Sequence, residues 1–205
     1  MLSSKGFDLW ANDYDKSVGL SDEENSYPFA GYKNILNLIF NDVLAKQGRN
    51  VLDIGFGTGT LATKLYENDC TIWGQDFSVK MIELAQAKME NARLFCGDFS
   101  EGLVEELKSQ KYDAIIATYS IHHLTDEKKI NFLKSLLLLL NENGKIYIGD
   151  VAFETREDLV KCKQASGEDW DEDEIYCVFE EMKKHFENIT FTKVSECAGI
   201  LEICR

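Results

Sequence analysis

The 205 residues suit one domain with a substantial buried core, and a hydrophobic content of 44% is that of an ordinary soluble globular chain. Against 36 acidic residues stand 22 lysines and arginines, a net charge of −14. Such a surface repels phosphate backbones and no basic stripe offsets it, which argues against nucleic acid and anionic membranes as partners.

The first ten residues, MLSSKGFDLW, lack the basic region and long apolar run of a signal peptide. The stretch 3–18 reads as helical, as does 29–47, and together they form an expected N-terminal helical cap over residues 1–48. The core is expected to run from 49 to 205 within the same domain. Apolar strands are predicted at Asn50–Ile54, Thr71–Gln75, Ala92–Cys96, Tyr112–Thr118 and Lys145–Asp150. Between them lie stretches with helical apolar spacing, such as Val79/Ile82/Ala85/Met89 and Ile130/Leu133/Leu136/Leu137/Leu140. Asn143-Gly144 reads as the stop of the last of these helices. The five leucines from Leu136 to Leu140 are too few to span a membrane.

Alternating apolar strands and helices imply a parallel, doubly wound sheet covered on both faces. Residues 151–186 read as mostly helical. The last stretch, Ile189 to Cys204, reads as two strands joined by a tight connection containing Gly199, which adds an antiparallel strand to the sheet. Six cysteines with no CxxC pair and no metal-ligand spacing fit a reduced, cytoplasmic protein. The acidic run EDWDEDE (Glu168 to Glu174) is solvated surface on the plain reading. On the sharper reading it is a rim for a cationic or neutral small molecule.

The chemistry concentrates in VLDIGFGTGT, residues 51–60. A strand ends in an acid, Asp53, and then in three alternate glycines, Gly55, Gly57 and Gly59. In a doubly wound sheet this loop lies at the carboxyl edge, where ligands bind. The spacing is neither the G-x-G-x-x-G of a dinucleotide site, since Thr60 holds the sixth position, nor a Walker loop. Asp76 ends the second strand and Asp98 follows the third, so both fall on the same edge. A carboxylate at Asp76 accepts both hydroxyls of a ribose, and one at Asp98 accepts an exocyclic amine. Each also suits a helix N-cap.

These segments, with WANDYD at Trp10–Asp15, CGDF at Cys96–Phe99 and YDAIIATYSIHHLTDEKK from Tyr112, resemble the successive motifs of class I S-adenosylmethionine-dependent methyltransferases. The resemblance is closest to small bacterial members. It implies an α/β, Rossmann-like sheet of seven strands in the order 3-2-1-4-5-7-6, the last antiparallel, with S-adenosylmethionine as cofactor and S-adenosylhomocysteine as product. By the same resemblance Gly55, Gly57 and Gly59 lie against the cofactor's amino-acid portion. Asp76 binds the ribose, Asp98 with Phe99 holds the adenine, and Asp53 meets the methionyl ammonium directly or through water. Phe77 and Met81 pack on adenine and ribose, Met81 being equally suited to the core. Tyr14 caps the cofactor, Thr118 contributes from the end of the fourth strand, and Trp10 is a packing residue.

The cofactor carries its own activated methyl group, so the protein's task is position and field. His122 and His123 follow the fourth strand and should lie near that methyl. Adjacent residues on an extended segment point opposite ways, so at most one of them faces the pocket. His123 is the candidate catalytic base, with structural hydrogen bonding its alternative, and Tyr119 is a weaker candidate for substrate contact. The pair makes no metal site by itself, and the sequence supplies no further ligand at a recognisable spacing. A small-molecule acceptor is expected. A nucleotide-cofactor oxidoreductase and a noncatalytic binding protein are the alternatives.

Overall fold

The structure is a computed structural model that describes residues 26–205. The expected helix over 3–18, Trp10 and Tyr14 lie outside the described residues. The first helix described, α1 (Tyr32–Ala45), buries Ile35, Leu36, Ile39 and Val43, one stripe at helical spacing. The strands are β1 (Asn50–Ile54), β2 (Thr71–Asp76), β3 (Arg93–Cys96), β4 (Tyr112–Thr118), β5 (Leu140–Phe153), β6 (Cys177–Val178), β7 (Ile189–Lys193) and β8 (Ala198–Cys204). The later helices are α2 (Thr60–Tyr66), α3 (Val79–Lys88), α4 (Glu105–Lys108), α5 (Asp126–Leu137), α6 (Arg156–Ser166) and α7 (Phe179–Met182).

One sheet runs β3-β2-β1-β4-β5-β8-β7, with β6 paired to the far end of β5. Setting β6 aside and renumbering gives the expected order 3-2-1-4-5-7-6. β1 lies parallel to β2 and β4, and β8 is antiparallel to both β5 and β7. Strand side chains alternate between two apolar layers. On one face Val51, Ile72 and Ile116 meet α1, α2 and α3; on the other Leu52, Ile115 and Ile146 meet α4, α5 and α7. Among the described residues, no helix is long and apolar enough to cross a membrane.

Three details depart from the sequence reading. Among the described residues there are eight strands, because two residues of the 151–186 region pair with β5 at Ala152 and Phe153. β5 begins at Leu140, and Asn143 (φ 65°) and Gly144 sit inside it at a register shift, so the pair makes an irregular crossing rather than a helix stop. The Asn141 amide bonds to Asp113 there at 2.7 Å, bridging the strands where their ladder is interrupted.

The third departure matters most for the site. Between α6 and β6, residues 167–176 form a strap with only a single 3₁₀ turn. It crosses the segment after β4, where Ile175 N donates to the His122 carbonyl at 2.9 Å. The buried Lys129 amine holds it from below through the Ile175 carbonyl and Asp126. Above, the Trp170 ring stacks on Tyr27 with centroids 5.1 Å apart.

The helix-to-sheet contact is close at Gly149, in the middle of β5, where a Cβ would overlap Ile35 of α1 and lie 3.0 Å from Ile39 Cδ1. Forcing a methyl into a filled interface of this kind costs about 1–3 kcal/mol. Gly149→Ala should therefore lower the urea midpoint by a corresponding amount with an unchanged m-value.

Candidate active site

At the carboxyl edge, between the ends of β1, β2 and β4, lies a cavity. The candidates Asp53, Gly55, Gly57, Asp76, Phe77, Met81, Phe99, Thr118 and His123 all line it. Tyr32, Phe56, Thr60, Leu61, Tyr119 and Ser120 complete the wall. Gly59 and Asp98 are not in it.

The glycine loop follows from its backbone. Gly55 and Gly57 have φ of 65° and 56°, a region that side chains disfavour. A Cβ on Gly55 would sit 2.6 Å from Ser120 Cβ, whereas one on Gly57 would enter open space. Gly57 is thus bare where a ligand can approach the chain. Gly59 instead faces α3, where a Cβ would press on Met89 and Ala85, so its smallness seats the helix. The Lys88 amine, donating to the Thr58 carbonyl at 2.9 Å, ties the loop down.

Asp76 anchors the loop from the next strand. One carboxylate oxygen accepts from Gly57 N at 2.9 Å and the other from Ser78 N at 2.9 Å. A carboxylate oxygen can accept more than one hydrogen bond, so such a group can serve both the loop and a diol. Asp98 is exposed and caps the short 3₁₀ turn that follows it, accepting from Ser100 N at 2.8 Å. That is the N-cap alternative left open by the sequence. Its neighbour Phe99 is buried, lines the cavity and packs on Phe132 with centroids 5.9 Å apart.

Asp53 is 2% exposed and its Oδ1 has no hydrogen-bond partner. Burial, and then the charge of Asp76, push its pKa up to about 8. A buried acid with an unsatisfied oxygen at a cavity wall can receive a hydrogen-bond donor or a cationic group there. Opposite it, Tyr119 has φ 50° at the end of β4 and its ring packs against Phe29 and Tyr32. Strain of that sort at the edge of a ligand cavity is typical of functional sites. Tyr32 had no signal in the sequence, since only packing brings α1 to this wall; Thr60, directly after the glycines, did.

The two histidines are not on an extended segment. Ile121–His123 is a 3₁₀ turn, which leaves the rings edge-to-face with centroids 4.3 Å apart. His123 faces the cavity, and burial followed by the charge of His122 depresses its pKa to about 4. His122 is buried. Its Nδ1 lies 2.7 Å from Asp150 Oδ1 and, facing a carboxylate, is the donor; its Nε2 lies 3.4 Å from Glu174 Oε1. Burial alone would lower the His122 pKa, but Asp150 and Glu174 outweigh it and raise it. Glu174 belongs to the acidic run that reads as solvated in the sequence. The strap folds it inward, where Tyr176 donates to its Oε2 at 2.6 Å. No spacing in the sequence links Glu174 to the histidine pair; the fold brings its carboxylate beside them.

The comparisons with known proteins agree with this geometry. Residues 51–144 match the methyltransferase domain family. An uncharacterised methyltransferase of Anoxybacillus flavithermus is 35% identical, over 96% of this chain and 94% of its own. The chain belongs to the class I S-adenosylmethionine-dependent methyltransferases. An uncharacterised methyltransferase of Bacillus licheniformis shares 33% identity over 97% and 96% of the two chains. Among solved structures, a methyltransferase of Clostridium acetobutylicum superposes with a TM-score of 0.68 at 16% identity, covering 94% of this chain and 99% of the other. Magnesium protoporphyrin IX methyltransferase of Synechocystis, with bound S-adenosylhomocysteine, gives 0.67 at 19% identity, covering 86% and 85%. At such identities these two structures show the shared fold.

The buried acid of this methyltransferase gives a pH dependence of known sign. Asp53 holds its proton to about pH 8 when folded but only to about pH 4 when unfolded. Its contribution to stability is therefore complete below about pH 4 and is lost as the pH rises through about 8. With ligand absent, Asp53→Asn should flatten the fall in urea midpoint between pH 5 and 8. An unchanged slope would mean that Asp53 ionises freely in the folded protein.

Proposed function

We propose that the protein transfers the methyl group of S-adenosylmethionine to a small-molecule acceptor in this cavity. The observation that carries the reading is Asp53: a buried carboxyl with an unpartnered oxygen, in a cavity that also holds Asp76. S-adenosylmethionine brings two positive centres, its sulfonium and its α-ammonium, and so matches what the cavity lacks. Asp53 receives the ammonium beside Gly55 and Gly57. Asp76, whose carboxylate lines the cavity, accepts the ribose hydroxyls. Phe77, Met81 and Phe99 enclose the adenine end, where Asp98 reaches the adenine amine if its cap relaxes. Thr118 lies at the end of β4 in the same wall.

In the transfer, a lone pair of the acceptor's oxygen, nitrogen or sulfur forms a bond to the methyl carbon. The electrons of the breaking carbon–sulfur bond pass to the sulfonium, leaving neutral S-adenosylhomocysteine, and the acceptor's proton leaves to solvent. His123 meets the acceptor at the β4 end of the cavity. Its depressed basicity keeps the imidazole neutral, so it accepts a hydrogen bond from the nucleophile and fixes its line of approach. Alignment of this kind is worth roughly 10²-fold for an error of about 1 Å. The net charge of −14 supports a small acceptor over a polyanion.

Calorimetric titration with S-adenosylmethionine, S-adenosylhomocysteine and NADH tests the cofactor. Both sulfur compounds should bind at one site and NADH should not. At pH 7 binding should release close to one proton, seen as a dependence of the heat on the buffer's ionisation enthalpy, because Asp53 gives up its proton opposite the ammonium. Affinity should then rise with pH up to about 8 and level off, and Asp53→Asn should abolish the release. Asp76→Ala loses charge-assisted bonds worth about 1.5–3 kcal/mol each and should weaken binding at least tenfold. His123→Ala should retain the cofactor and lower turnover by about 10²-fold once an acceptor is in hand. Binding without proton release would move the ammonium away from Asp53.

A further inference from the structure

We propose that His122, His123 and Glu174 form a binding site for a first-row divalent cation, with Zn²⁺ the best match to the donor set. The site opens on the acceptor end of the cavity. The three residues each offer one ligand atom, all within 4.8 Å of one another. Two imidazoles and a carboxylate are a donor set of catalytic zinc sites, where three protein ligands leave a position open. Bonds of 2.0–2.1 Å at tetrahedral angles separate donor atoms by about 3.3 Å. His122 Nε2 and Glu174 Oε1 are already 3.4 Å apart, and the widest separation has to close by only about 1.5 Å.

The outer contacts distinguish this cluster from a chance meeting of side chains. Metal-bound histidine typically donates its other ring N–H to a carboxylate, which fixes the tautomer and raises the basicity of the ligating nitrogen. Asp150 does this for His122 at 2.7 Å, and the same oxygen accepts from Val151 N at 2.8 Å, so the carboxylate cannot swing away. Tyr176 plays the corresponding part for Glu174, donating to the oxygen that faces away from His122. All three ligands stand on braced backbone, because the Ile175–His122 bond and Lys129 lock the strap over the histidine turn.

His123 also lines the cofactor cavity, so an ion held by it would lie at the edge of that cavity. There an oxygen or sulfur nucleophile would lose its proton to solvent more readily, as water does on zinc, before its lone pair takes the methyl carbon. This catalytic consequence rests on the proposed methyl transfer; the binding site itself does not.

The test is titration of the EDTA-dialysed full chain with Co²⁺, followed by visible absorption. One equivalent should give saturable d–d bands of a four- or five-coordinate N/O site. Glu174→Gln and His123→Ala should each weaken binding tenfold or more, with circular dichroism reporting that both are folded. Glu168→Gln, an exposed acid of the same run, should titrate like the unaltered protein, and Zn²⁺ should displace Co²⁺. No saturable binding overturns the proposal, as does binding unaffected by Glu174→Gln, or an intense near-ultraviolet band that marks thiolate ligation by cysteine. S-adenosylmethionine titration in EDTA is run in parallel on the same preparation. Its failure counts against the methyltransferase reading of the cavity, whatever the metal result.

Discussion

Negative charge held at the carboxyl edge of a parallel sheet is the constraint on which this molecule is organised. Asp53 and Asp76 stand at the ends of neighbouring parallel strands, in register through pairs such as Ile54↔Gln75. The Oδ1 of one has no hydrogen-bond partner among the described residues, and the other accepts from Gly57 N in the glycine loop and from Ser78 N beyond its own strand. Burying two carboxylates side by side is tolerable only if one is protonated or a cation enters. Burial and the neighbouring charge push the Asp53 pKa up to about 8, which favours the first; a cationic ligand group would supply the second.

The same logic recurs a short way along the edge. Asp150 lies near the end of the long β5 with an Oδ2 unpartnered among the described residues, and Glu174 is carried in by the strap. Between them His122 faces both. A buried acid–imidazole–acid arrangement is costly unless its charges balance, which explains why so much structure is committed to it. Lys129 is wholly buried beneath the strap, Tyr176 and Trp170 pack edge to face above it, and β6 stitches the outgoing chain to β5. The region with least resemblance to any motif is thus the one that packs over the histidine turn after β4.

Much of the fold was legible in the residues. Val51 to Ile54 and Tyr112 to Thr118 are apolar on both faces, which suits only strands covered on both sides, and the hairpin at Ile189–Cys204 had no room for a helix. Less legible were features whose cause is distant in sequence. Nothing local distinguishes Asn143-Gly144 as a strand irregularity from a helix stop, and Cys177–Val178 is a strand only because β5 overshoots the sheet far enough to meet it. For Asp98 the two readings were chemically equivalent in sequence, and the exposed cap is what the backbone turn selects.

The sequence by itself determined the glycine loop, the carboxylates at three successive strand ends and the order in which strands and helices alternate. These follow from local chemistry, because glycine is needed where φ is positive and an acid at a strand's carboxyl end meets whatever binds there. Only the tertiary structure decided that Asp53 is starved of a partner, that Tyr32 and Ser120 complete the wall, and that His122 turns inward while His123 faces the cavity. Glu174 is the plainest case. In the sequence it is one acid among several in a solvated run, and no spacing links it to a histidine 52 positions earlier. Its role exists because a strap anchored by a buried lysine and a stacked tryptophan folds back over the end of β4, and desolvation then turns an ordinary carboxylate into a group that must have a partner.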